Sequence, residues 1–156
     1  MPATGHTLAL TELPEILLGL LPTGPIADAM REGQEMLYDA EQAGAVIVTL
    51  PETLPVTESL ELMEGLRRTK VPLQAVVVNR FVHDVFDDDE RIALASFLAE
   101  HEVLGANRYR ALRKAEHKVS RLERAGCPIR FAPELPLHGQ PLVTALADAL
   151  ANGGAT

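Results

Sequence analysis

Two apolar runs of strand length organise the chain. The first is Ala45-Val46-Ile47-Val48, which stops at Thr49-Leu50-Pro51-Glu52. The second is Leu73-Gln74-Ala75-Val76-Val77-Val78-Asn79. Continuous rather than alternating apolarity marks strands covered on both faces, the habit of a parallel sheet. Between the runs, Val56, Leu60, Met63 and Leu66 recur at helical spacing. Pro55 stands near the start of that helix, where proline is tolerated. Arg67, Arg68 and Lys70 crowd its end, where cations meet the negative pole of the helix dipole. Val71-Pro72 terminates it. The pattern predicts a β-α-β unit. In open parallel sheets ligands sit beyond the carboxyl ends of the strands. The residues just past each run are therefore the first candidates for a site: Thr49, Pro51 and Glu52 after the first, Asn79 and Arg80 after the second.

The remaining periodicity predicts helices and one more strand. Residues 8–43 read as helical, with Leu13, Ile16, Leu17, Leu20 and Leu21 at helical spacing. The group Pro22-Thr23-Gly24-Pro25 breaks that run, and a second segment carries Ile26, Met30, Met36 and Leu37. Ahead of it, Pro2 and Gly5 suit a tight loop in which Thr4, His6 and Thr7 offer hydroxyl and imidazole groups. Past the second strand comes a loop rich in acids: Asp84, Asp87, Asp88, Asp89 and Glu90. Acids favour the first turn of a helix, a stronger reading than a metal site. The predicted helices are residues 89–102, with Ile92, Phe97 and Leu98, and residues 106–125, with Tyr109, Leu112, Ala115, Val119 and Leu122. Arg108, Arg110, Arg113, Lys114, Lys118, Arg121 and Arg124 line the latter, interrupted by Glu116 and Glu123, as on a solvated face. Gly126 ends it as a C-cap glycine does. A short third strand is expected over residues 127–132, with Pro128 at its start or on an edge. A loop at 133–141 and a helix carrying Leu142, Val143, Leu146 and Leu150 follow. Residues 1–151 read as one domain and 152–156 as a disordered tail.

Composition narrows the function classes. The 156 residues suffice for one domain with a core, and with four Phe, two Tyr and no Trp that core is aliphatic. A formal charge of −8 argues against a nucleic-acid groove and against general attraction to anionic lipid. Cys127 is the sole cysteine, so the chain forms no internal disulfide and no all-cysteine metal site. That suits a reducing compartment. No apolar run is long enough to span a bilayer, and the first residues lack the layout of a signal peptide. The expectation is a cytoplasmic location.

A third strand parallel to the first two places three loops on one edge, carrying Pro51-Glu52, Asn79 and Pro133. An asparagine side chain there both donates and accepts hydrogen bonds. It suits an amide-like base edge such as that of adenine, and equally other small polar ligands.

On these residues the chain resembles the arsenite-pump-driving (ArsA-type) ATPase family, which includes the ATPases that target tail-anchored proteins. PATGHTL looks like the family's switch II segment. VIVTLPETLPVTESLEL resembles its next strand and Pro-Glu turn, VVVNR its strand ending in an adenine-contacting asparagine, and FAPELPLHGQPLVTALADAL its last strand, loop and helix. The likeness keeps the family's order but covers only the second half of that ATPase. It implies a partial P-loop NTPase-like α/β fold of about three parallel strands with flanking helices. By the same resemblance Thr4, Gly5, His6 and Thr7 are switch II candidates that sense the γ-phosphate. Asn79 is the adenine contact, Pro133 a bracket for the base, and Pro51 and Glu52 lie near the site. ATP and Mg²⁺ are the cofactors of an intact member.

No glycine-rich lysine loop and no Cys-x-x-Cys pair occurs in the sequence, and the switch II aspartate would stand just before Met1. Phosphate binding in P-loop proteins rests on such a loop and its Mg²⁺, so this chain alone is expected neither to hold ATP tightly nor to hydrolyse it. The implied partners are a second copy or a complementary P-loop-bearing segment, and a membrane pump or client protein. Two alternatives stand beside this reading: a non-catalytic dimerising or regulatory subunit, and an unrelated α/β domain that binds a small metabolite.

Overall fold

In the computed structural model, residues 4–101 and 103–152 are described. The elements run α1 (Thr4–Leu20), α2 (Pro25–Tyr38), β1 (Ala45–Thr49), α3 (Thr53–Thr69), β2 (Leu73–Phe81), α4 (Asp88–Glu100), α5 (Ala106–Glu123), β3 (Ile129–Pro133) and α6 (Gly139–Ala151). The three strands form one sheet in the order β1-β2-β3, all parallel. This is the α/β architecture with a three-stranded parallel sheet that the apolar runs predict.

The core lies on one face of that sheet. Ile47, Val76 and Val78 meet Val56, Met63 and Leu66 of α3 and Val119 and Leu122 of α5 in a single buried cluster. α3 and α5 also pack on each other. Three of the four residues at helical spacing in α3 are buried, and Leu60 is half-buried against the same cluster. α3 lacks a side-chain cap at Glu52 and ends at Lys70, whose φ of 62° is left-handed. β2 begins at Leu73, directly after Pro72, as expected.

The opposite face is only partly covered. Register pairs Val46 with Ala75, Val48 with Val77, and Asn79 with Ala132, and alternation puts these residues on the face away from α3. Ala132 is buried, and α6 packs on β3. Val46 and Val48, however, are 54% and 52% exposed.

Several expectations need correction. The helix at the amino end begins at Thr4 rather than at residue 8, so the backbone of Thr4–Thr7 is a first helical turn and not a tight loop. α1 packs on α3 and α2, yet Leu13, Ile16, Leu20 and Leu21 remain exposed. α4 buries Leu98 but leaves Ile92 and Phe97 largely in solvent. β3 starts at Ile129, because Pro128 has no N–H to give the ladder; its carbonyl instead accepts from the Val76 N–H at 2.9 Å. The expected tail from 153 onward lies outside the described residues, as do Met1, Pro2 and Ala3.

Candidate functional site

Three strand ends assemble the carboxyl edge. β1 ends at Thr49, which pairs with Val78, and the chain leaves through Pro51 and Glu52 into α3. Asn79 stands one step beyond Val78, in the central strand, and pairs with Ala132 of β3. Pro133 closes β3 and pairs with Phe81. Pro51, Asn79 and Pro133 are half-buried, and Glu52 is exposed. Parallel strands connected through helices carry their ends to one side by construction. The structure thus brings Pro51, Glu52, Asn79 and Pro133 together on one edge. It gives no such account of the other candidates: the side chains of Thr4, His6 and Thr7 lie outside the described residues, and Gly5 is an exposed residue of α1.

The chemistry at Asn79 is defined by one contact. Its Oδ1 accepts a hydrogen bond from the Arg80 backbone N–H at 3.0 Å. The carboxamide nitrogen donates to no protein group among the described residues. Alternation places Asn79 on the open face, in line with Val77 and Val48. The side chain therefore offers a donor, and a second lone pair on Oδ1, beside a half-exposed apolar surface.

Sequence reading singled out Arg80 and Glu52 but missed the ion pairing that Glu134 and Arg108 add. Arg80 donates to the Glu134 carboxylate at 2.8 Å, and Arg108 of α5 reaches the other oxygen of the same group at 3.3 Å. The hydrogen bond and charge of Arg80 hold the Glu134 carboxyl below its ordinary range. Glu134 in turn raises the Arg80 guanidinium, to which Glu52 adds a smaller field. The signal in the sequence is a parity break. Val76, Val78 and position 80 share the core-facing parity, yet position 80 is arginine and the following Phe81 is apolar.

The acidic loop past β2 is structural. Asp87 caps α4 reciprocally with Glu90, each side chain taking the other's backbone N–H. Asp84, almost wholly covered, accepts from the Phe86 N–H at 3.0 Å, from Arg91 at 2.9 Å and from Arg113 at 3.2 Å. Burial pushes its carboxyl up, but these donors outweigh burial and hold it below the ordinary value. Among the described residues no group of three His, Cys, Asp or Glu side chains gathers as a metal-ligand set. Two of the basic residues of α5 are thus ion-paired, Arg113 to Asp84 and Glu116 and Arg108 to Glu134. A groove of about 610 Å³ lies between the end of α4 and the start of α5, lined by Leu98, His101, Val103, Leu104 and Arg110 among others. None of Pro51, Glu52, Asn79 or Pro133 lines it. Among the described residues no helix is long and apolar enough to cross a membrane.

Comparison with known proteins gives the family. Residues 24–121 match the family model described as anion-transporting ATPase, a span from just before α2 to near the end of α5. The chain is similar to the ATPase BagA of Mycobacterium tuberculosis, 35% identical over 79 residues, and equally to the Mycobacterium bovis protein named "Putative ATPase Mb3704". Each match covers 51% of this chain and 23% of the relative. The chain therefore spans well under half the length of the curated relatives it matches. The family model covers most of the chain and takes in β1, α3 and β2 with Asn79, and on that ground the chain belongs to the anion-transporting (ArsA-type) ATPase family.

Proposed function

We propose that this chain is the C-terminal part of an ArsA-type ATPase, whose carboxyl edge faces the adenine of ATP. The single observation that carries the reading is Asn79: a carboxamide whose donor meets no protein group among the described residues, two residues before the end of the central strand, between the Pro51–Glu52 turn and Pro133. An adenine edge pairs a donor with an acceptor, and an asparagine answers both. Thr4, Gly5, His6 and Thr7 serve as the switch II segment in this reading, and coupling runs through α1 and α2 to whatever the intact protein drives: an ion pump or a membrane-protein client. The phosphates and Mg²⁺ fall to a P-loop-bearing segment that this sequence does not contain, so the chain alone is inactive.

A nucleotide titration tests it. The chain alone binds ATP weakly and turns none over. Addition of a P-loop-bearing segment of the family raises affinity, and Asn79→Ala removes most of that gain. ATP turnover by the purified chain alone, abolished by changing Asn79, overturns the division of labour proposed here.

A second reading, a non-catalytic dimerising or regulatory subunit, is favoured by the exposed Val46 and Val48 on an edge strand. An in-frame strand ending in Asp encoded just upstream of Met1 speaks for the first reading. A stop codon there speaks for the second.

A further inference from the structure

We infer that Arg80 and Glu134 are positioning residues that decide which nucleobase the carboxyl edge accepts. Glu134 holds the Arg80 guanidinium, Arg80 holds a left-handed backbone, and that backbone aims the Asn79 carboxamide. The inference rests on the reading of this edge as one that faces a base.

β2 carries one residue more than β3 between the pairs Asn79–Ala132 and Phe81–Pro133, and Arg80 is the extra one. Its φ is +57°, a region that side-chain-bearing residues disfavour. The bulge exchanges two side chains between faces. Strict alternation would put Phe81 on the open face and Arg80 over the core. Instead Phe81 is buried, its ring 4.5 Å from that of Phe131, and Arg80 is in solvent. The same turn sets the Arg80 N–H on Asn79 Oδ1 at 3.0 Å.

The loop past β3 is fastened to this bulge twice. The Glu134 side chain takes the Arg80 guanidinium at 2.8 Å, and the Glu134 N–H donates to the Phe81 carbonyl at 3.1 Å. Arg108 braces Glu134 from α5, and Glu52 lends its charge from the loop past β1. Two strand-end loops and α5 thus bear on one strained residue of β2.

The consequence is chemical. With Oδ1 held by the Arg80 N–H, the carboxamide favours one placement of its oxygen and nitrogen. The Watson–Crick edge of adenine offers an amino donor beside a ring acceptor; guanine offers a carbonyl acceptor beside a ring N–H. A carboxamide of fixed sense matches one of these and opposes the other. A carboxamide free to flip serves both.

The test uses the ¹⁵N-labelled full chain with AMP and GMP, compared by nuclear magnetic resonance in Arg80→Gly, Arg80→Ala and Glu134→Gln variants. In the parent chain, AMP binds about fivefold or more tightly than GMP, the scale of one base-reading contact, and the Asn79 side-chain resonances are sharp before nucleotide is added. Arg80→Ala and Glu134→Gln lose the preference and change the ligand-free Asn79 resonances. Arg80→Gly keeps both, because glycine adopts the left-handed turn unaided, and adding Glu134→Gln to it changes nothing further. If Arg80→Gly loses as much as Arg80→Ala, or if Asn79 ignores all three changes while AMP still binds, the positioning role is overturned and the base-facing reading survives. If AMP moves no resonance of the parent chain, the base-facing reading itself falls, and selectivity falls with it.

Discussion

Val76 and Val77 are neighbours in β2 and meet different surroundings. Val76 is fully buried under α3 and α5, in contact with the cluster of Val56, Met63 and Leu122. Val77 looks the other way, beside Val48, whose side chain is half in solvent. Both faces of the sheet carry a run of valines in β1 and β2, but the open face also bears Asn79 and Arg130, and the two faces are unequally covered. Apolar residues in a strand therefore do not by themselves secure burial: Val46 and Val48 stay half in solvent while Val76 is covered. A sheet that shows one face to water is normally polar on that face. Over Val46, Val48 and Val77 this one is not. The described residues supply a full cover for one face and, through α6, part of a cover for the other.

The comparison breaks most decisively in the core. Leu122→Ala removes a wholly buried side chain, and a loss of about 2–5 kcal/mol is expected in urea unfolding, as for other leucine-to-alanine changes in packed cores. A much smaller loss would mean that the α3–α5 face is not the one holding the fold.

Asp84→Asn tests what ties the loop past β2 to α4 and α5. The charge is lost while Arg91 and Arg113 keep theirs, and the variant is less stable by about 1.5–3 kcal/mol at neutral pH, the range of a hydrogen bond to a charged group. The sign with pH follows from a depressed carboxyl. Its contribution is complete above the unfolded value of about 4 and fades as pH falls through the lower folded value. The gap between parent and variant should therefore close in acid. A gap that widens below pH 4 would show that the carboxylate is not stabilised by its arginines.

Lys70→Gly relieves the left-handed end of α3 and should raise stability by about 0.5–1 kcal/mol in thermal unfolding. Smallest in stability are Val46→Lys and Val48→Lys on the open face, where change within about 0.5 kcal/mol is expected. Their effect is on association. The parent chain should self-associate in light scattering and the variants should not, because a charge on an edge strand blocks pairing. A parent chain that is a monodisperse monomer removes the case that this face seeks a cover.

Much of this layout was legible from residue types alone. The β-α-β unit, the α3 stripe and the shared carboxyl edge follow from continuous apolar runs and helical spacing, which are local signals. What was not legible needed register. The bulge at Arg80 is an extra residue relative to a strand some fifty positions later, and no window along the chain contains both. The role of Asp84 was hidden for the same reason, since Arg113 lies on another helix. The exposure of Ile92 and Phe97 was misjudged because apolar spacing describes a stripe without saying what it faces. The family resemblance, by contrast, was carried by short motifs in order, and the match over residues 24–121 agrees with it.

The margins of the sheet are not equivalent either. β3 is flanked by Pro128, ends in Pro133 and carries the exposed Arg130, three features that discourage a further strand. β1 reads Ala-Val-Ile-Val-Thr, with neither charge nor proline. Growth of this sheet is therefore one-directional: an incoming strand, from a second copy or another polypeptide, can extend the ladder only at β1, and in doing so it would line up its own carboxyl or amino end next to Pro51 and Glu52.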